Sequence, residues 1–68
     1  MDIFAVRLKE LRMEKRLTQQ QLATTLQTTD DSIYSWEKGR SEPSIAVIRK
    51  ICDFFEVSAD YLLGRTEY

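Results

Sequence analysis

The sequence predicts an all-α fold, a compact bundle of five helices. Three observations predict it. Apolar residues recur at helical spacing in five separate stretches, and none of these stretches alternates as a strand would. Four of the five open on a Ser or Thr suited to helix capping. The connections are all short, so neighbouring helices must pack closely.

The elements follow in order. Phe4, Leu8 and Leu11 stand at i, i+4 and i+7, one face of a helix over roughly residues 2–15. Lys15 and Arg16 lie in its last turn, where cations suit the helix dipole. Thr18 opens a second helix over about 19–26, and Gln21 completes a capping-box pattern three residues later. Leu22, Ala23 and Leu26 form its buried stripe. Thr29, or Thr28, caps a third helix over about 30–38, in which Ile33 and Trp36 face inward together. Asp30 and Asp31 fall in the first turn, where each gains about 0.3–1 kcal/mol from the dipole. Gly39 suits the left-handed position after the helix. Pro43 in "RSEP" marks a loop, and Ser44 caps a fourth helix over about 45–55. Its apolar face is expected to hold Ile45, Ile48, Ile51, Cys52 and Phe55. Ser58 caps a fifth, "ADYLLG", with Leu62 and Leu63 apolar and Gly64 as terminator. Only about three residues separate helices two and three, which forces the bend of a helix-turn-helix.

The 68 residues allow one domain, residues 1–68, with a stability of about 3–7 kcal/mol. Hydrophobic residues at 43% and charged residues at 31% give a globular balance. No apolar run reaches the roughly 18 residues that span a membrane. The N-terminus lacks the basic start, apolar run and cleavage site of a signal peptide, so a cytoplasmic location is expected. Cys52 is the single cysteine, which rules out an internal disulfide and reads as a small core residue. There is no histidine, which excludes the usual zinc sites and any Ser-His-Asp or Cys-His pair. Gly39 and Gly64 stand alone, so no phosphate loop exists. Paired-carboxylate chemistry would need a cleft that so short a chain has little room to build. Neither an enzyme nor a cofactor is expected.

The formal net charge of −1 argues mildly against a nucleic-acid partner, yet the charge is unevenly placed. Residues 1–17 carry five bases (Arg7, Lys9, Arg12, Lys15, Arg16) and three acids. Residues 30–37 carry Asp30, Asp31 and Glu37 and no base. Lys38 and Arg40 follow at once. The second helix and its flanks show Thr18, Gln19, Gln20, Thr24, Thr25, Gln27 and Thr28, where an ordinary solvated face would be rich in Lys and Glu. Amides and hydroxyls hydrogen-bond to phosphates and bases without a charge to desolvate. Two core helices with solvated polar faces remain the plainer reading of the same residues.

The stretches "LR...LTQQQLA", "TTDDSIYSWEKGR.EPS" and "FFEVSADYLLG" together resemble the Cro/repressor type of helix-turn-helix domain, the xenobiotic-response-element family. The resemblance covers about residues 4–65. It implies a lambda-repressor-like DNA-binding domain whose third helix enters the major groove of double-stranded DNA. Gln19, with the helix start at Thr18, would donate to a phosphate. Thr29, Asp30, Asp31, Ser32 and Ser35, with Tyr34 beside them, would face base edges, and Thr28 would be among the DNA-binding residues. Lys38 and Arg40 would hold phosphates, with Arg7 and Arg12 near the same side. Arg12 would pair with Glu37, tying the first helix to the third. The family binds pseudo-palindromic operators as two-fold dimers, with half-sites about 34 Å apart. The dimer surface is expected at Tyr61, Leu62, Leu63 and Tyr68, although one of the two leucines should close the core.

The departure from the family pattern is the acid pair, Asp30 and Asp31. A carboxylate about 6 Å from a phosphate costs under ~1 kcal/mol in water and more once water is excluded. One that accepts from cytosine N4 contributes about 1–3 kcal/mol of discrimination. A transcriptional repressor is the leading expectation, either complete or the N-terminal domain of a longer regulator. A protein-interaction module or antitoxin that uses the acidic third-helix surface is the alternative.

Overall fold

The structure, a computed structural model, describes residues 2–68, and its five helices all start at capped ends. Helix α1 spans Ile3–Glu14, and the carboxylate of Asp2 accepts from the Phe4 amide at 3.0 Å. Helix α2 spans Gln19–Leu26. Thr18 Oγ1 accepts from the Gln21 amide at 3.0 Å while Gln21 Oε1 accepts from the Thr18 amide at 2.8 Å, a complete capping box. Helix α3 spans Asp30–Glu37 behind Thr29, whose hydroxyl accepts from the Ser32 amide at 3.2 Å. Helices α4 (Ile45–Phe55) and α5 (Ala59–Leu62) start from Ser44 and Ser58 in the same way. The expected ranges of α1 and α3 ran one residue too far: Asp2, Lys15 and Lys38 are caps, not helical interior.

The core takes one stripe from every helix. Phe4, Leu8 and Leu11 of α1 meet Leu22, Ala23 and Leu26 of α2, Ile33 and Trp36 of α3, Ile51 and Phe55 of α4, and Leu62 of α5. Two expectations at its edges need correction. Leu62 is fully buried, so it belongs to the core and cannot serve a dimer surface. Ile45 is 73% exposed, because the apolar face of α4 extends one turn beyond the helices that cover it. Cys52 is half-buried against the core, and burial followed by the charge of Asp53 pushes its thiol pKa up, which disfavours the reactive thiolate.

Two polar devices lock the helices together. Arg12 Nε lies 2.7 Å from Glu37 Oε2 and Arg12 Nη2 lies 3.0 Å from Glu37 Oε1, a two-pronged bond between α1 and α3. The two side chains are only 12% and 3% exposed. Arg7 donates to the carbonyls of Tyr61 and, at 2.6 Å, Thr66, and its guanidinium stacks 4.2 Å from the centre of the Tyr61 ring. This fastens the segment after α5 across α1. Gly64 (φ +81°) passes so close to Ile3 that an added Cβ would come within 2.7 Å of Ile3 Cγ2.

Two stability outcomes follow. Ile51→Ala, at the fully buried centre of α4, should cost about 2–5 kcal/mol in urea unfolding, a large share of the whole. Glu37→Ala should cost about 3–5 kcal/mol, because it strands a desolvated guanidinium. Replacing Arg12 and Glu37 together by methionine should recover most of that loss. A double variant no more stable than Glu37→Ala would show that the pair is not coupled.

Candidate nucleic-acid interface

Helix α3 has two opposite faces. Ile33 and Trp36 are buried against the core, and Glu37 points toward Arg12. Asp30, Asp31, Tyr34 and Lys38 are exposed, and i, i+3 and i+4 spacing puts them on one outward stripe. Thr29 is exposed at the cap, with Thr28 and Ser32 half-buried beside it. The Thr29 and Ser32 hydroxyls are 3.0 Å apart. Half-buried Ser35 bonds through its hydroxyl to that of Ser41 at 2.7 Å, which pins the loop after α3 to the helix.

The stripe carries a charge gradient. Two carboxylates stand at its N-terminal end and two cations at its C-terminal end. Among the described residues neither Lys38 nor Arg40 pairs with a carboxylate. Lys38 Nζ lies 5.5 Å and the Arg40 guanidinium carbon 5.6 Å from the centre of the Tyr34 ring, so one exposed ring gathers both. A π face attracts a cation without neutralising it, and both charges stay available to an anion.

Gln19 sits at the first turn of α2 with its Nε2 3.2 Å from Glu37 Oε1. An amide nitrogen has two hydrogens, so one holds to Glu37 and the other remains free. The carboxylate thereby fixes the direction in which Gln19 can donate. Beyond the expected ion pair, no local pattern of residues marks this three-way contact of Arg12, Glu37 and Gln19. Thr24 and Thr25 turn their hydroxyls back onto the carbonyls of Gln20 and Gln21, at 3.1 and 3.0 Å. Gln27 accepts from Lys50 at 3.1 Å. The neutral face of α2 is therefore partly spent on the protein itself.

The two arginines expected beside this surface are engaged elsewhere. Arg7 is held by the carbonyls of Tyr61 and Thr66, and Arg12 by Glu37 and the Leu17 carbonyl at 2.8 Å. Each satisfies protein acceptors, whereas Lys38 and Arg40 have no carboxylate partner among the described residues. The expected dimer residues are also scattered. Tyr61 and Tyr68 line one groove with Leu11 and Val57, exposed Leu63 lines another with Phe4 and Ile48, and Leu62 lies inside.

Comparison with known proteins gives the context. The helix-turn-helix family profile matches residues 8–62. The chain is 39% identical over 64 residues to the HTH-type transcriptional activator BcrR of Enterococcus faecalis, across 94% of this chain and 31% of that protein. It is 38% identical over 61 residues to the uncharacterized HTH-type transcriptional regulator YqaE of Bacillus subtilis, across 90% of this chain and 53% of that one. It thus spans about a third of the first of these curated relatives and about half of the second. Among solved structures, the P22 c2 repressor in complex with a synthetic operator superposes with a TM-score of 0.88 at 21% identity, covering 97% of this chain and 100% of that one. The restriction-modification controller protein C.AhdI of Aeromonas hydrophila superposes with a TM-score of 0.76 at 29% identity, covering 87% and 86%. The match over residues 8–62, on five helices arranged as in those regulators, shows that the chain belongs to the Cro/C1-type helix-turn-helix family.

Proposed function

We propose that this chain is the sequence-specific DNA-binding part of a transcriptional regulator, with α3 inserted in the major groove. The observation that carries the reading is the outward stripe of α3: a rigidly backed helix with exposed Thr29, Asp30, Asp31 and Tyr34, followed by two cations free of carboxylates. Lys38 and Arg40 hold phosphates on one side. On the other side Gln19 uses its second amide hydrogen, with the start of α2 at Thr18 beside it. Thr28, Ser32 and Ser35 flank the reading edge. The chain binds as a homodimer on a pseudo-palindromic operator, one protomer per half-site. Repression by occlusion needs nothing beyond binding and is the proposed outcome.

The acid pair shapes specificity rather than affinity. Asp30 and Asp31 weaken attraction to any phosphate backbone, which lowers binding to random sequence. A carboxylate that reaches cytosine N4 regains the loss only at the right base. The same exposed acids support a second reading, in which the α3 surface takes a basic protein, as in an interaction module or antitoxin. A heparin or non-specific DNA column run across a salt gradient separates the two. DNA binding must fall steeply with ionic strength through counterion release.

Selection from a random duplex pool should return an inverted repeat, and recovery of no consensus would defeat the proposal. Lys38→Ala and Arg40→Ala should each weaken binding across all sequences and reduce the slope of log K against log salt by about 1. Asp31→Ala should raise non-specific affinity and flatten preference at one base pair by about 1–3 kcal/mol. Unchanged preference at every position would remove its readout role.

A further inference from the structure

Tyr34 stands in the middle of the outward stripe, 41% exposed, with carboxylates on one side and cations on the other. An exposed tyrosine at a reading edge invites the role of base reader. Its neighbours point to another. Lys38 Nζ and the Arg40 guanidinium carbon lie 5.5 and 5.6 Å from the centre of its ring. We infer that Tyr34 is a positioning residue: its ring gathers Lys38 and Arg40 into one pre-formed site for the phosphates of a single strand, and it reads no base. The inference rests on the DNA-binding reading above and names the side chain that sets its phosphate contacts.

Three features carry it. The first is that the backbone under both cations is already fixed. The Arg40 amide donates to the Ser35 carbonyl at 3.0 Å and the Gly39 amide to the Trp36 carbonyl at 3.1 Å, with Gly39 at φ +72°, so the chain leaves α3 through a Schellman turn. The Ser35–Ser41 hydroxyl bond at 2.7 Å fastens the residue that follows. Only the long side chains of Lys38 and Arg40 are left to be ordered. The second feature is that no carboxylate gathers them. Neither pairs with one among the described residues, and two like charges repel. Their convergence on one ring is the mark of a π face that offsets the repulsion. The third is the place of the ring between the two charges of the stripe. Helix side chains lean toward the N-terminus, so Lys38 reaches back one turn in the direction of Tyr34 and the acid pair. The ring meets it there, short of the acids.

The consequence lies in when the ordering cost falls. Lys and Arg side chains lose rotamer freedom when they hold a phosphate. A ring that gathers them beforehand takes that loss before DNA arrives and strengthens binding by pre-organisation. A base reader acts differently. Its loss flattens preference at one base pair, whereas the loss of a positioning residue weakens binding alike on every sequence. The loss of the ring also removes no phosphate contact, so the salt dependence keeps its slope, unlike that of Lys38→Ala.

The test compares the wild-type chain with Tyr34→Phe, which keeps the π face, and Tyr34→Leu, which keeps an apolar side chain without it. Each is checked for an unchanged circular dichroism spectrum and melting point. In the free protein, proton NMR should show the Lys38 ε-methylene and Arg40 δ-methylene signals moved upfield by the ring in wild type and Tyr34→Phe, and not in Tyr34→Leu. On a duplex bearing the selected inverted repeat, and on its single-base-pair variants, Tyr34→Leu should bind about 5-fold more weakly throughout with an unchanged salt slope, and Tyr34→Phe should match wild type. In a chain that already carries Lys38→Ala and Arg40→Ala, Tyr34→Leu should have no further effect. Tyr34→Leu that binds as wild type does, or that loses preference at one base pair, overturns the positioning role, as does Tyr34→Phe as weak as Tyr34→Leu. Absence of the upfield shifts in wild type overturns it whatever happens on DNA. Upfield shifts in a wild-type chain with no affinity for any duplex keep the gathered pair and reject the DNA-binding reading instead.

Discussion

The bond between Arg12 and Glu37 is the constraint on which the rest of the molecule turns. The core can fix the depth and tilt of α3, but apolar packing is non-directional. A two-pronged ion pair is directional. It fixes the rotation of α3 about its own axis relative to α1, and so decides which residues form the outward stripe. Its worth to stability is modest, because two charges must leave water to form it. Its value lies in geometry. The same carboxylate holds Gln19, so one buried acid aligns the start of α2 and the end of α3 together. Those are the two places where the proposed surface meets phosphate.

Charge on this surface is separated by use. Of the basic residues discussed, Arg7 and Arg12 serve the fold, and Lys38 and Arg40 face outward over Tyr34. The acids divide in the same way. Glu37 is structural, and Asp30 and Asp31 stand in solvent at the front of α3. A net charge of −1 is then a poor guide to the surface, because the buried pair cancels itself and the exposed stripe holds both signs in different places. On the proposed reading, the arrangement trades general attraction to a polyanion for sensitivity to what lies at the reading edge.

The helix starts were legible because each is set by a residue whose side chain does a local job: Thr18, Thr29, Ser44 and Ser58 all cap as their chemistry suggests. The core stripes of α1, α2 and α3 were legible from periodicity for the same reason, since spacing is a property of neighbours in the chain. What escaped depends on distant residues. Nothing near Arg7 announces carbonyls more than fifty positions away. Periodicity placed Ile45 on the right face of α4 but could not say how far the covering helices reach. Leu62 and Leu63 are adjacent in composition and in sequence, and only docking of the single turn α5 decides which one enters the core. The Arg12–Glu37 pair came from family resemblance, not from spacing, and the Gln19 contact came from neither.

Three of the turns contain Arg16, Gln27 and Glu56 in the left-handed region, with φ of 58°, 60° and 56°. A side chain there costs about 1 kcal/mol relative to glycine, which leaves the scaffold below the stability its architecture allows. For a chain whose total is about 3–7 kcal/mol, that shortfall enlarges the unfolded fraction by orders of magnitude. The three bends, and not the core, are thus where the fold holds unused stability, and a glycine at any one of them relieves part of the strain.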